Sequence, residues 1–184
     1  MTLIVQRDSD TLLDMSDKKS EPTKKNLLMV EDEPELREVL AELLEPSNIV
    51  VIPASNGKEA LEILVQRKDI DAILSDFKMP VMDGLTLLAE VRERGIETPF
   101  VLLTGFADKS NTITALRLRA LDFLEKPFEP TELITRLGLA TDLGHQNRLF
   151  QEKISEVSKS GVISFEIIDG LDRAMKATLP ARKK

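Results

Sequence analysis

Short apolar segments alternate along this chain with longer segments in which apolar residues recur every three or four positions. A short apolar run bounded by turn residues is typical of a buried β-strand, whereas the wider spacing is typical of an amphipathic helix. The predicted strands are Leu27–Val30, Ile49–Pro53, Ala72–Asp76, Pro99–Leu103 and Asp122–Leu124. Because each strand is followed by a helical segment, the pattern predicts an α/β fold in which a five-stranded parallel sheet has helices on both faces.

The helical segments each carry an apolar face. In the first one, Pro34 suits the first turn and Asp32 is the expected cap, and the apolar positions are Leu36, Val39, Leu40, Leu43 and Leu44. In the second one, from Glu59 to Gln66, the predicted face contains Ala60, Leu61, Leu64 and Val65. Pro130 begins the last helix of the regular pattern, which we expect to continue beyond Leu139.

Polar residues stand at the carboxyl ends of four predicted strands. Glu31 and Asp32 follow the first strand, Asp76 ends the third, Thr104 follows the fourth and Lys126 follows the fifth. Right-handed crossovers bring these strand ends to one edge of the sheet, where open α/β sheets bind ligands. An Asp at a strand end is by itself equally well explained as a turn cap. Taken together, the four strand ends predict a functional site.

The residue types at this edge restrict its chemistry to oxygen ligands and phosphoryl groups. The chain has no Cys and a single His, which argues against thiolate or His-rich metal sites and against a Ser-His-Asp triad. Clustered carboxylates need a cation, and Mg²⁺ is the ion that carboxylates hold for phosphate chemistry. An Asp carboxylate can attack phosphorus, so the site predicts an aspartyl phosphate, against the alternative of a salt-bridged rim without chemistry.

Composition indicates a cytoplasmic globular protein. The 184 residues include no apolar run of membrane-spanning length, and the acidic residues among the first fourteen do not fit a signal peptide. The net charge of −7 argues against DNA binding. The absence of Cys fits a reducing compartment.

Four segments at the predicted site resemble the motifs of the receiver domains of two-component response regulators. They are Val30-Glu31-Asp32, Ser75 to Gly84, Leu103-Thr104-Gly105 and Ala120 to Phe128. The resemblance extends from about Lys25 to about Leu143. It implies a doubly wound, flavodoxin-like sheet with the strand order 2-1-3-4-5.

The resemblance also implies a role for each residue of the site. Asp76 would accept a phosphoryl group from a histidine kinase or a phosphotransfer protein. Glu31, Asp32 and Asp76 would bind Mg²⁺ together with the backbone carbonyl of Lys78.

Two further residues would contact the phosphoryl group, namely Thr104 and Lys126, and Lys126–Pro127 would be a cis peptide. Phe123 would be the aromatic switch, because movement of Thr104 toward the phosphate vacates space for a ring. Since this ring is Phe rather than Tyr, the switch would work by packing alone.

A few positions depart from common family patterns. Arg119 stands where many receivers have Gly. Lys78 and Phe106 lie two residues beyond Asp76 and Thr104, at positions that the resemblance links to the lifetime of the phosphoryl group. A bulky Phe106 would obstruct the attacking water, so we expect slow self-dephosphorylation.

The expected organisation has three parts: a flexible N-terminal arm over 1–24, a receiver domain over 25–143 and a helical C-terminal extension over 144–184. In the extension, a heptad seam is formed by Leu143, Asn147, Phe150, Ile154 and Val157, although Gly144 weakens the helix. A coiled-coil dimer and a helix packed on its own domain are equally compatible with this seam. His145 is expected to be an exposed polar residue.

The sequence therefore predicts a single-domain response regulator that signals to an unidentified protein target, without a DNA-binding output domain. Its own phosphoryl transfer and dephosphorylation would be its only catalysis, so it is not classed as an enzyme. The contact surface, which would also serve a homodimer, is the face formed by the fourth helix, fifth strand and fifth helix. The alternatives are an adaptor that does not need phosphate and an Asp-nucleophile phosphatase. The phosphatase is disfavoured because it needs an acid at the position of Lys78.

Overall fold

The computed structural model describes residues 23–105 and 109–160 of the chain. The predicted N-terminal arm up to residue 22, Phe106 and the part of the extension from residue 161 onward lie outside the described residues.

Five strands and five α-helices alternate along the described chain. The strands are β1 Lys25–Val30, β2 Ile49–Ala54, β3 Ala72–Asp76, β4 Phe100–Thr104 and β5 Asp122–Glu125. The helices are α1 Pro34–Leu44, α2 Gly57–Gln66, α3 Gly84–Glu93, α4 Lys109–Arg117 and α5 Pro130–Ser160. A short 3₁₀ helix, Glu45–Ser47, joins α1 to β2.

The strands form a single parallel sheet in the order β2-β1-β3-β4-β5, which confirms the predicted fold. In this order β3 lies at the centre, and all five of its residues are buried. The carboxyl end of β3 therefore reaches the edge of the sheet between the ends of β1 and β4.

Alternate residues of the central strands enter two separate cores. Leu28, Val30 and Ile73 pack on one face with α2, α3 and α4. Leu27 and Met29 pack on the other face with α1 and α5. A strand that is buried on both faces is continuously apolar rather than alternating, which explains why β1, β3 and β4 could be located from sequence.

Two residues placed on apolar helix faces are exposed instead. Val39 on α1 is 51% exposed and Val65 on α2 is 59% exposed. Successive helical residues differ in direction by about 100°. Val39 directly precedes the buried Leu40, and Val65 directly follows the buried Leu64. Each valine therefore points away from the sheet.

Helix α5 is one continuous helix that crosses the expected boundary between residues 143 and 144. Far from its start, it contacts the amino end of β3 through a group of side chains that we call the Asp71 cluster: Asp71, Asn26, His145 and Arg148. The carboxylate of Asp71 is fully buried. It accepts hydrogen bonds from the Asn26 backbone N–H at 2.7 Å and from Arg148 Nε at 3.0 Å.

The expectation that His145 is an exposed residue is wrong. Its side chain is 13% exposed, and Nδ1 lies 3.4 Å from Asp71 Oδ1 and 2.9 Å from Arg148 Nη2. Since a guanidinium only donates, His145 Nδ1 is the acceptor. Gly144 is buried against the backbone of Asp71, and a Cβ there would overlap the Asp71 carbonyl. Gly144 thus permits the close approach of α5 to β3.

None of the helices within residues 23–105 and 109–160 combines the length and the apolar character needed to cross a bilayer.

Candidate phosphoryl-acceptor site

The turn after β1 carries the first two acidic residues of the site. Glu31 is 1% exposed, and its backbone N–H donates to the carbonyl of Ala54 at 3.1 Å. Arg37 on α1 donates from Nη1 to the Glu31 carbonyl at 2.5 Å. These contacts fix the turn from two sides, so that Glu31 and the half-buried Asp32 project at the edge of the sheet.

The prediction that Asp32 caps α1 is wrong. The residue at the N-cap is Glu33, which makes no side-chain capping hydrogen bond. Instead of closing the helix, Asp32 offers its carboxylate to the acidic group described below.

Asp76 ends β3 and is 9% exposed. The following residue, Phe77, donates its backbone N–H to the Leu103 carbonyl at 2.8 Å, which holds the end of β3 against β4. Gly84 opens α3 directly beside Asp76, where a Cβ would overlap the Asp76 carbonyl and lie 2.9 Å from Leu102 Cδ2. Only glycine lets α3 begin this close to the acceptor.

Lys126 bridges the carboxylates of two different strand ends. Its Nζ lies 2.7 Å from Asp76 Oδ1 and 3.2 Å from Glu31 Oε2. Lys126–Pro127 is a cis peptide, as the resemblance implies. The backbone N–H of Lys126 donates to the Thr104 carbonyl at 2.7 Å, which ties the end of β5 to the end of β4.

The pKa values of Glu31 and Lys126 are both raised, and in each case burial competes with the attraction between the two groups. Burial raises the pKa of the Glu31 carboxyl above its ordinary value, an effect that Lys126 opposes and Asp76 reinforces. Burial by itself lowers the pKa of Lys126, but its hydrogen bond and attraction to Asp76, together with Glu31, raise the pKa overall. Lys126 is therefore a charged ammonium. Its single positive charge does not fully offset the effect of burial on the Glu31 carboxylate.

The three acidic side chains offer a site for a cation. Glu31, Asp32 and Asp76 each present a carboxylate oxygen, and these oxygens lie within 4.8 Å of one another. An all-oxygen donor set of carboxylates suits Mg²⁺, and burial of Glu31 provides a reason to bind one. The residues present therefore fit the ion that the sequence predicts.

The remaining predicted site residues differ in how far they are buried. Thr104 is half-buried at the end of β4, and its hydroxyl donates to the Gly105 carbonyl at 2.7 Å. Phe123 on β5 is half-buried against the core on the side of α2, α3 and α4. Lys78 has an exposed side chain in the loop after β3, and the role of its carbonyl as a metal ligand stays a prediction.

The loop between β3 and α3 is fastened at both ends. Gly84 donates its backbone N–H to the Phe77 carbonyl at 3.1 Å, and Gly57 at the start of α2 donates to the Met82 carbonyl at 3.3 Å. The Met82 side chain lies over Gly57, where a Cβ would be 2.7 Å from Met82 Cγ. The loop is thus packed between the starts of α2 and α3.

Sequence reasoning missed Arg37 and the Asp71 cluster. Arg37 lies one turn into α1, and nothing local marks it as the residue that holds the Glu31 carbonyl. For the cluster, the available signal was Gly144. Glycine is unfavourable in the interior of a helix, so its presence there indicates close contact with another backbone segment.

The arrangement supplies what phosphoryl transfer to a carboxylate requires. Asp76 is recessed but reachable, Lys126 provides a positive charge at its oxygen, and the acidic group can hold a divalent ion beside it. Positioning and charge neutralisation are the main contributions of a protein to this reaction.

Comparison with known proteins agrees with this geometry. The family model of the response regulator receiver domain matches residues 27–138. The probable transcriptional regulator ycf27 of Guillardia theta is 34% identical over 146 residues, which are 79% of this chain and 55% of that protein. The response regulator SaeR of Staphylococcus aureus is 34% identical over 113 residues, which are 61% of this chain and 49% of that protein. The chain thus spans about half the length of these two relatives.

Among solved structures, the receiver domain of the Francisella response regulator 1452 superposes with a TM-score of 0.60 at 30% identity. The superposition covers 64% of this chain and 97% of that domain.

Proposed function

The chain belongs to the response regulator receiver domain family, and from this premise we propose that it is a two-component switch in which Asp76 accepts a phosphoryl group from a phosphohistidine. The observation that carries the proposal is the position of Lys126 Nζ, 2.7 Å from Asp76 and 3.2 Å from Glu31. A buried acceptor, its ammonium partner and two further carboxylates meet at one edge of the sheet.

In the proposed step, an oxygen of Asp76 attacks the phosphorus of the donor's phosphohistidine. The O–P bond forms while the N–P bond breaks, and the bonding electron pair returns to the imidazole, which takes a proton from solvent. Glu31, Asp32 and Asp76 would hold Mg²⁺, which when bound offsets negative charge on the phosphoryl oxygens. The reaction is confined to the chain's own phosphorylation and dephosphorylation.

Lys126 and Thr104 would then read the new group. The Lys126 ammonium shifts from the carboxylate to a phosphoryl oxygen, because the added charge is the stronger attraction. The Thr104 hydroxyl, which now donates to the Gly105 carbonyl, would rotate to donate to another phosphoryl oxygen. That movement would leave space for the ring of Phe123 to turn inward. Phosphorylation would thereby change the surface around β5.

We propose that the output is a contact with another protein, made in the cytoplasm. Exposed apolar side chains on α4, just before β5 and on α5 support this, namely Ile113, Leu116, Leu121 and Leu139. The same face, or the seam of α5, would serve a homodimer. The adaptor alternative uses the same surfaces without phosphate, and it would be favoured by a partner complex that Asp76→Asn leaves unchanged.

The test is phosphorylation of the purified full chain by acetyl phosphate with Mg²⁺, followed by intact mass. We expect one added phosphate in the native chain, none in Asp76→Asn and none when the metal is chelated. Equal labelling of the native chain and Asp76→Asn would place the acceptor elsewhere. A native chain that never gains phosphate would refute the proposal.

A further inference from the structure

Beyond Arg148, helix α5 carries one half-buried apolar stripe. Arg148 contacts Asp71, the residue just before β3, so the part of α5 that follows extends past the amino edge of the sheet. Between residues 149 and 159, eight residues are exposed and three are half-buried, namely Phe150, Ile154 and Val157. These three continue the seam that begins at Leu143 and Asn147, at spacings of three and four residues.

The seam is not the side of α5 that packs on the protein's own sheet. The residues on that side are fully buried in the core, namely Leu133, Leu137 and Ala140. At about 100° per residue, the seam lies about a quarter of a turn around the helix axis from this buried side. Gly144 and Arg148 hold α5 against Asp71 in this orientation. The seam therefore faces a different direction from the sheet, which favours a partner over packing on the domain itself.

The residue types along the seam are those of a parallel, two-stranded coiled coil. Asn147 and Ile154 fall at the a positions of the heptad, and the d positions are Leu143, Phe150 and Val157. A β-branched residue at a favours two strands, and a single Asn at a fixes the register and the number of strands. In an antiparallel pair, the amide of Asn147 would be buried against apolar side chains without a partner, at a cost in free energy.

The charges beside the seam allow two copies to approach each other. The chain has a net charge of −7, but the acidic residues of this part, Glu152 and Glu156, fall at heptad positions f and c, away from the seam. The flanking e and g positions contain no acidic residue between Leu143 and Val157; they are Gly144, Gln146, Gln151 and Lys153. Because e and g residues are the ones that face the other strand, two copies would pair without repulsion between carboxylates.

We propose that the seam binds the seam of a second copy of this chain, as a parallel two-stranded coiled coil in which the two Asn147 side chains face each other. A short helix is unstable alone because its nucleation is unfavourable, but this part of α5 continues a helix that is already packed on the sheet. The seam lies at the opposite edge of the sheet from Asp76, so we expect the dimer with or without a phosphoryl group. The inference goes beyond the proposed function and does not depend on it.

Sedimentation equilibrium of the full chain tests the interface. We expect the native chain and Asp76→Asn to form dimers with the same dissociation constant. Phe150→Ser removes a central d residue from both copies and should weaken dimerisation by about thirtyfold or more. The matched control is Leu149→Ser, which changes an adjacent residue that is 40% exposed and lies off the seam, and it should stay within about twofold of the native chain.

Asn147→Ile provides a second variant that does not remove an apolar contact. We expect it to associate about tenfold more tightly and to form assemblies of more than two chains, because Asn at a limits both stability and strand number. A native chain that stays monomeric would overturn the inference, as it would if residues 161–184 covered the seam. A dimer that is unchanged in both Phe150→Ser and Asn147→Ile would also overturn it, because the interface would then lie elsewhere.

Single thiols test the parallel orientation. The native chain has no Cys, so Ile154→Cys and Ser155→Cys each carry one thiol. In the parallel dimer, position 154 faces itself, and mild oxidation should link Ile154→Cys into a covalent dimer. Ser155→Cys, at the outward b position, should remain uncrosslinked, and equal crosslinking of the two variants would overturn the parallel arrangement. A chain that dimerises in this way but never accepts phosphate would refute the proposed function alone.

Discussion

Replacement of Arg148 by Met should destabilise the fold, because Arg148 neutralises a carboxylate that is out of reach of water. The Asp71 side chain is 0% exposed and that of Arg148 is 22% exposed. Removal of one partner of a buried ion pair costs about 3–5 kcal/mol. The partial exposure of Arg148, and the Asn26 N–H that remains on Asp71, reduce our expectation to about 2–3 kcal/mol.

Urea unfolding at neutral pH, followed by far-UV circular dichroism, measures this change. The chain has no Trp and no Tyr, so intrinsic fluorescence is a poor probe. With a typical urea dependence of about 2 kcal/mol per M, the midpoint of Arg148→Met should fall by about 1 M or more. The matched control is Arg94→Met, which removes an exposed pair with Glu90 one helical turn away. Such a pair contributes about 0.5 kcal/mol or less.

A double-mutant cycle separates the ion pair from other effects of the substitution. The loss in Asp71→Asn/Arg148→Met should be smaller than the sum of the two single losses by about 1 kcal/mol or more, because the two groups are in direct contact. The reasoning is refuted if Arg148→Met unfolds like Arg94→Met, or if the two single losses simply add.

Further predictions concern the site and one strained turn. Because burial raises the pKa of Glu31, its ionised form opposes folding, and without Mg²⁺ the native chain should lose stability as pH rises from about 4.5 through the higher folded pKa. In urea unfolding, Glu31→Gln should lose that pH dependence. It should also lose much of the stabilisation by Mg²⁺, which for an intact site is about 2.7 kcal/mol at an ion concentration of one hundred times Kd. An unchanged response to pH and Mg²⁺ would contradict this reasoning. Gly84→Ala should cost about 1–3 kcal/mol and slow labelling of Asp76 by acetyl phosphate, because the added Cβ overlaps the Asp76 carbonyl; native stability in the same urea assay would show that α3 can move away freely. Arg119 has a φ of 62° and pairs with Glu97 at 2.6 Å, so Arg119→Gly and Arg119→Ala both lose the pair but only the glycine relieves the strain. Thermal unfolding should therefore find the Gly variant more stable than the Ala variant by about 1–2 kcal/mol, and equal stability would mean that the turn relaxes in both.

The sequence was sufficient for the sheet because the central strands are buried on both faces. β3 was predicted at Ala72–Asp76, the range that the structure shows, since a continuous apolar run has few other structures open to it. The site followed from the sheet, because parallel strands bring Glu31, Asp76 and Lys126 to one edge wherever the helices lie.

What could not be predicted depends on which direction a side chain takes. Val39 has the spacing of a core residue, yet it points away from the sheet. His145 is an isolated polar residue in the sequence, and its contact with Asp71 joins positions 74 residues apart. Such a contact depends on the distance between α5 and β3, which Gly144 sets through its missing side chain. Periodicity carries no information about that distance.

The Asp71 cluster also sets the rotational phase of the rest of α5. Because α5 is continuous, the orientation of one turn about the helix axis fixes the orientation of every later turn. The twelve residues from Leu149 to Ser160 extend over about 18 Å. One residue inserted just after Arg148 would turn everything that follows by about 100°, whereas seven inserted residues would restore the original direction to within about 20°. The direction in which Phe150 and Ile154 project from α5 is therefore fixed at the amino end of β3, at the opposite edge of the sheet from Asp76.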